Sequence, residues 1–154
     1  MLDIGCSSGE VTFDIAKKAK EITGIDISSA KIKIAEEKRK ADNIEYLVGD
    51  ATRYVFNGKF DVIILSNVLE HIRERIDFLN KIKILAPKIL IRVPLITRDW
   101  ISCYKKEAGL PYLLDSSHCI EYTEEEFAEE MKKAGLKMEF IKVKFGELYA
   151  VITL

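Results

Sequence analysis

Residues that could bind a small molecule stand at the very start of this sequence. Residues 2–4 (LDI) are typical of a buried strand, residues 5–9 (GCSSG) form a glycine-bracketed loop, and Glu10 begins a helical pattern. Glycine lets a backbone turn tightly and approach a ligand closely, and the first amides of a helix attract negative charge. The stretch therefore predicts a binding corner for a nucleotide-like ligand.

A dinucleotide is the first candidate ligand for this corner. Its fingerprint, G-x-G-x-x-G, would start at Gly5 and require glycines where this sequence has Ser7 and Glu10. The Glu10 carboxylate would also repel a diphosphate at the start of the helix. The residues therefore argue against a dinucleotide.

The same loop matches the G-x-S-x-G nucleophile elbow of serine hydrolases, with Ser7 as the nucleophile and His118 as the base. That fold takes part of its oxyanion hole from a loop before the nucleophile strand, and the sequence offers no residues there. A serine hydrolase is kept as a minor alternative.

Two further acids follow predicted strands. Asp26 comes 21 positions after Gly5, where a carboxylate can accept hydrogen bonds from both hydroxyls of a ribose, and Asp50 follows the third strand. The alternative at each position is an aspartate in a solvated loop or at a helix N-cap. Acids at successive strand ends favour a shared binding site.

With these residues the chain resembles class I S-adenosylmethionine-dependent methyltransferases of type 11/12 or of the ubiquinone-biosynthesis kind. Residues 2–9 look like their D-x-G-x-G-x-G motif, with Ser7 in place of the middle glycine. The resemblance implies an α/β Rossmann-like three-layer sandwich with a mostly parallel seven-stranded sheet and a C-terminal antiparallel hairpin. It also implies S-adenosylmethionine as the cofactor.

The resemblance further implies the residues that surround the cofactor: Asp3, Gly5, Cys6, Ser7, Gly9, Asp26, Ile27, Asp50, Ala51 and Asn67. Asp3 would organise the amino end of the ligand, and the two glycines would allow close backbone approach. Asp26 would bind the ribose, Asp50 the exocyclic amino group of adenine, and the Ala51 N–H would lie near the ring. The transferable methyl group would face Asn67.

Catalysis is assigned to Glu70 and His71, which follow the fourth predicted strand. A methyl transferase must position its acceptor and, for a hydroxyl, remove a proton, and an imidazole with a pKa near ~6.5 suits that task. The alternative is a histidine that only packs at a helix start.

Glu70, His71 and His118 are also similar to residues of the metal-assisted small-RNA 2′-O-methyltransferases. Those enzymes bind a divalent cation through Glu-x-x-Glu-His and a later histidine, and here Asn67 takes the first glutamate position. We therefore predict no metal and keep that class as a minor alternative.

Apolar periodicity predicts alternating strands and helices, as expected for a parallel sheet covered on both faces. The predicted strands are 2–4, 21–25, 44–48, 60–65 and 88–93, and the helices are 10–20, 28–41 and 70–86. Val11, Ile15 and Ala19 should form the apolar face of the first helix. The irregular segment at about 94–122 is predicted to be a lid or substrate segment.

The C-terminal part begins with a helix whose capping box pairs Thr123 with Glu126, and Gly135 ends that helix. The strands at 136–144 and 148–154 are joined by three residues only, which is too short for a helical crossover. They are therefore predicted to pair as an antiparallel hairpin.

Composition limits the class of protein. The 154 residues, 48% of them hydrophobic, predict a single domain spanning 1–154, and the net charge of −1 favours a small-molecule acceptor, with nucleic acid as an open alternative. Three cysteines without CxxC spacing indicate a reduced, cytoplasmic compartment. No apolar run approaches the ~18 residues of a membrane span.

The resembled family usually has a covering helix before the first strand, and this sequence starts without it. We therefore expect a homodimer or a partner subunit to cover the N-terminal face near Val11 and Ile15. The alternative to an enzyme is a non-catalytic S-adenosylmethionine-binding or partner-activating subunit.

Overall fold

The computed structural model describes residues 1–154 and contains one seven-stranded sheet. The strands are β1 (Leu2–Ile4), β2 (Ile22–Asp26), β3 (Ile44–Val48), β4 (Val62–Ser66), β5 (Lys88–Pro94), β6 (Lys137–Lys144) and β7 (Glu147–Thr153). Their order across the sheet is β3-β2-β1-β4-β5-β7-β6. The first five strands are parallel, and β7 is antiparallel to both of its neighbours, which confirms the predicted fold class.

Five α-helices connect or follow these strands: α1 (Glu10–Ala16), α2 (Ser29–Lys38), α3 (Arg75–Lys83), α4 (Trp100–Glu107) and α5 (Glu124–Lys133). Thr123 and Glu126 form the predicted capping box of α5, and Gly135 follows that helix with a φ of 66°. No helix combines the length and the apolar character that crossing a membrane requires.

The core lies on both faces of the sheet. Ile63 and Leu65 of β4 belong to a cluster of 22 buried residues that includes side chains of α3 and α5. Ile64, which points to the opposite face, packs with Ala16 of α1 and Ile22. The sheet is thus the middle layer of three.

A two-residue turn, Phe145–Gly146, joins β6 to β7, and both of its residues have positive φ values. Such turns match the twist of paired strands, so the predicted antiparallel hairpin is confirmed. β7 occupies the position between β5 and β6.

The predicted helix 70–86 is wrong in its first part. Residues Leu69–His71 form a separate 3₁₀ turn, Ile72 is extended, and α3 begins only at Arg75. The Glu70 carbonyl accepts a hydrogen bond from the Cys119 N–H at 2.6 Å, a bond that a continuous helix would give to residue 74. A long-range contact therefore interrupts the helix.

Candidate functional site

One cavity of about 1110 Å³ opens at the carboxyl ends of the parallel strands. Most of the residues that the sequence predicted for the site line it: Asp3, Gly5, Cys6, Ser7, Asp26, Ile27, Asp50, Ala51, Asn67 and His71. Gly9 and Glu70 do not. Ligands bind at this edge in open α/β sheets, and the volume suits a nucleoside-sized molecule with room beside it.

The loop after β1 has an unusual backbone. Gly5, Ser7 and Gly9 have φ values of 72°, 52° and 81°. A Cβ on Gly5 would lie 2.6 Å from a methyl group of Val68, so no larger residue fits there. Ser7 has a left-handed backbone conformation, which glycine adopts without steric strain. This explains why the motif usually has glycine at this position.

Asp26 joins two loops through its carboxylate. Oδ2 accepts a hydrogen bond from the Ser7 N–H at 2.9 Å, and Oδ1 accepts one from the Ser28 N–H at 2.9 Å. These two hydrogen bonds fix the carboxylate in place at the cavity wall.

Asp3 lies at the base of the cavity and is 1% exposed. Thr12 of α1 donates its hydroxyl hydrogen to Asp3 Oδ2 at 2.6 Å. Burial raises the pKa of the Asp3 carboxyl to about 6, and the charge of Asp26 adds to this effect although the Thr12 bond opposes it. Burial, with help from the two carboxylates, likewise raises the pKa of the Cys6 thiol to about 12, so this cysteine stays protonated.

Asp50 also lines the cavity and follows β3, the strand that pairs with β2 beside Asp26. Its Oδ1 accepts hydrogen bonds from the N–H and the hydroxyl of Thr52, and the hydroxyl bond is the main reason why its pKa is lowered. Arg53 lies 3.7 Å from Oδ2. Lys81 donates to the carbonyls of Ala51 and Thr52 and holds the loop.

Asn67 follows β4 with a φ of 56°, a conformation that asparagine tolerates better than most residues. Its Oδ1 accepts a hydrogen bond from Arg92, and its Nδ2 lies 3.5 Å from Glu147. Glu147 also faces the guanidinium groups of Arg92 and Arg98, each at 3.8 Å. Both guanidinium groups are therefore held by ion pairs with Glu147.

Gly9 has a role in addition to the predicted one. It is the N-cap of α1, and a Cβ there would lie 2.5 Å from the Tyr46 hydroxyl and 3.0 Å from Ala35. Gly9 therefore lies at the close approach of α1 to α2 and β3, and its predicted role in giving a ligand access to the backbone stays a prediction.

Glu70 and His71 lie beside His118, and donor atoms of the three side chains are within 4.8 Å of one another. Glu70 is 1% exposed, and its Oε2 is buried without a hydrogen-bond partner. Burial raises the pKa of its carboxyl. Of the three, only His71 lines the cavity, so Glu70 and His118 lie behind it.

Both histidines are oriented through Nδ1. His71 Nδ1 lies 3.1 Å from the Ser117 hydroxyl, and His118 Nδ1 lies 2.7 Å from the buried Glu121 carboxylate. The rings pack edge to face with centroids 4.8 Å apart. Each ring therefore keeps Nε2 for another partner.

The segment 94–122, which the sequence predicts to be a lid or substrate segment, contains α4 and a 3₁₀ turn. None of its residues lines the cavity. It reaches the site through Ser117, His118 and Cys119, which contact Glu70 and His71. Ser7 and His118 do not meet at the cavity, and Glu121 occupies His118 Nδ1, so the pair needed by a serine hydrolase is not formed.

Sequence reasoning missed Thr12, Arg39 and Arg73. Thr12 binds Asp3, Arg39 contacts the loop after β1, and Arg73 lines the cavity. A hydroxyl on the buried face of α1 was a usable signal for Thr12, whereas the contacts of Arg39 span 31 positions and leave no local pattern.

A family model described as a methyltransferase domain matches residues 2–87. The chain is 30% identical over 118 residues to a ubiquinone biosynthesis O-methyltransferase of Bartonella tribocorum, covering 74% of this chain and 48% of that protein. A norajmaline N-methyltransferase of Rauvolfia serpentina is 32% identical over 94 residues, covering 56% of this chain and 32% of that protein. The chain thus spans about half or less of the length of these curated relatives.

Solved structures share the fold across 99% of this chain. A methyltransferase in complex with the Haloferax volcanii Trm112 methyltransferase activator has a TM-score of 0.79 at 16% identity, with 80% of that chain covered. Magnesium protoporphyrin IX methyltransferase from Synechocystis PCC 6803, with bound S-adenosylhomocysteine, has a TM-score of 0.76 at 18% identity, with 72% of that chain covered.

Proposed function

We propose, from the premise that this chain belongs to the methyltransferase domain family and has the class I S-adenosylmethionine-dependent fold, that it transfers a methyl group from S-adenosylmethionine to an acceptor. The observation that carries the proposal is the shared cavity of Asp26 and Asp50 at the ends of adjacent parallel strands. Two acids at neighbouring strand ends suit the ribose and the adenine of one adenosine.

The chain's own residues would hold the cofactor. Asp26 would accept hydrogen bonds from the ribose hydroxyls, Asp50 would accept one from the adenine amino group, and Asp3 would organise the amino end from the base of the cavity. Gly5, Cys6 and Ser7 line the loop side, while Ile27, Ala51 and Asn67 complete the cavity wall. The volume and this donor set fit the cofactor.

Glu70 and His71 are the proposed catalytic residues. S-adenosylmethionine, when bound, would supply an electrophilic methyl carbon, and an in-line attack by the acceptor atom would break the carbon–sulfur bond and release S-adenosylhomocysteine. His71 lines the cavity with Nε2 available to take the proton of a hydroxyl acceptor, while the Ser117 bond fixes its ring. The buried Glu70 beside it stabilises the imidazolium that forms.

The proposed acceptor is a small molecule. The similarity to ubiquinone and norajmaline methyltransferases supports this class, as does the net charge of −1, which provides no overall attraction for nucleic acid. Cys6, Cys103 and Cys119 are free thiols, which supports a reducing, cytoplasmic location.

A partner subunit or a second copy is proposed for the N-terminal face. Val11 of α1 is 40% exposed, and Ile15 is partly exposed beside it. The structural neighbour in complex with a methyltransferase activator supports a partner for this fold. Light scattering of the purified chain would report a dimer directly.

Calorimetric titration with S-adenosylmethionine, followed by a tritiated-methyl transfer screen on phenols, amines and RNA, tests the proposed function. We expect micromolar binding and transfer to a small molecule, and His71→Ala should abolish transfer to a hydroxyl acceptor without abolishing binding. Binding without transfer to any class would favour the non-catalytic subunit. Absence of binding would refute the proposal.

Metal-assisted transfer is a second candidate, and the buried, unpartnered Glu70 Oε2 beside two histidines supports it. A carboxylate and two imidazoles suit Zn²⁺ or Mn²⁺. Calorimetric titration with Mn²⁺ would decide, because binding that His118→Ala abolishes supports the cation. No binding by the wild-type chain at millimolar Mn²⁺ would eliminate it.

A further inference from the structure

The loop after β1 needs restraint from outside. Three of its five residues, Gly5, Ser7 and Gly9, have left-handed backbones, and Ser7 has a side chain that disfavours this conformation. Strained loops keep one shape only when surrounding groups over-determine it. Asp26 provides one such restraint, through the Ser7 N–H.

Arg39 provides a second restraint from the end of α2. Its guanidinium donates to the Ser8 carbonyl at 2.8 Å and pairs with the Glu10 carboxylate at 2.7 Å. Glu10 in turn accepts from the Ser8 hydroxyl at 3.1 Å. The backbone of Arg39 is itself anchored, because its carbonyl accepts from the Tyr46 hydroxyl at 3.1 Å.

Arg39 also alters the charge at the cavity. Glu10 lines the cavity at the start of α1. An unpaired Glu10 would repel the carboxylate of an amino-acid ligand in this cavity. The ion pair with Arg39 cancels the repulsion.

We propose that Arg39 is a positioning residue for the cofactor, which holds the loop of residues 5–9 in its binding shape and neutralises Glu10 at its edge. This inference rests on the proposed function and adds a residue that does not line the cavity.

Calorimetric titration with S-adenosylhomocysteine tests the proposal. Arg39→Gln should raise the Kd by roughly ten- to a hundredfold, the range expected for lost charge-assisted hydrogen bonds. Arg39→Lys, which keeps the charge but not the forked geometry, should lie between that variant and the wild type. Lys40→Gln removes the same charge from the next, exposed residue and should leave the Kd within about twofold.

A double variant separates the two tasks of Arg39. In Arg39→Gln with Glu10→Gln the repulsion is gone, so the Kd should recover part of the loss while the missing Ser8 contact keeps it above the wild-type value. Hydrogen exchange without ligand should be faster at Ser8–Glu10 in Arg39→Gln and unchanged in the sheet, which a general loss of stability would not produce.

Failure of this inference is distinguishable from failure of the proposed function. If the wild-type chain binds S-adenosylhomocysteine and Arg39→Gln binds it within twofold, or if Lys40→Gln weakens binding equally, the role of Arg39 is refuted. If the wild-type chain does not bind, the proposed function fails first.

Discussion

Asp3 combines a stability cost with a proposed binding role. Its carboxyl is 1% exposed, and burial raises its pKa from 3.8 to about 6. Between these two values the folded state holds a proton that the unfolded state has lost, so stability falls as the pH rises through this window. At neutral pH the charged, buried carboxylate costs about 3 kcal/mol relative to its neutral form.

Asp3→Asn should therefore stabilise the ligand-free chain. At pH 7 we expect a gain of about 1–3 kcal/mol in the free energy of unfolding, because the amide carries no charge and its oxygen still accepts from Thr12. The gain should vanish near pH 4. Urea denaturation at both pH values measures this, and an equal gain at both would contradict the assignment of the cost to ionisation.

The sequence analysis predicted the acids of the site and missed the groups that fix them. Asp26 and Asp50 follow apolar strands, and parallel strands bring their ends to one edge. Thr12 was overlooked because Val11, Ile15 and Ala19 were taken as the apolar face of α1. The structure instead buries Thr12 and Ala16 and exposes Val11 at the cavity.

Among the elements, the segment before α3 departs most from the sequence pattern. The apolar spacing of residues 68–82 fits a helix, and the neighbouring sequence contains no signal that the helix is interrupted at Ile72. The Cys119 N–H, 49 positions after Glu70, donates a hydrogen bond to the Glu70 carbonyl. The helix is interrupted there, and His71 faces the cavity. The irregularity belongs to the proposed catalytic residues, where local preference and tertiary contacts disagree.

The junction of α1 with α2 and β3 depends on Gly9. Gly9→Ala should lower the free energy of unfolding by about 2–4 kcal/mol, because a left-handed alanine is strained and its Cβ would overlap the Tyr46 hydroxyl. Gly109→Ala is the matched control. Its φ of 68° is similar and its Cβ would contact nothing, so a loss of only about 1–2 kcal/mol is expected.

Equal losses in the two variants, measured by chemical denaturation, would show that only backbone strain matters at Gly9. In that case the packing role assigned to this residue would be wrong.

At the scale of the whole molecule, the sequence predicted the parallel or antiparallel sense of strand pairing better than the details of the cavity. Alternating strands and helices implied parallel pairing, and the short link of Phe145 and Gly146 implied a hairpin. The insertion of β7 between β5 and β6 depends on packing of distant residues, such as Leu148 and Ile152 in the central core. It left no signal in the local pattern.

The central claim is that Asp26 and Asp50 bind the two ends of one adenosine. A crystal structure with S-adenosylhomocysteine tests it most directly. The account predicts ribose hydroxyls within hydrogen-bonding distance of the Asp26 carboxylate and the adenine amino group at Asp50, with the sulfur toward Asn67. Ligand density away from this cavity, or an adenosine that contacts neither carboxylate, would contradict it.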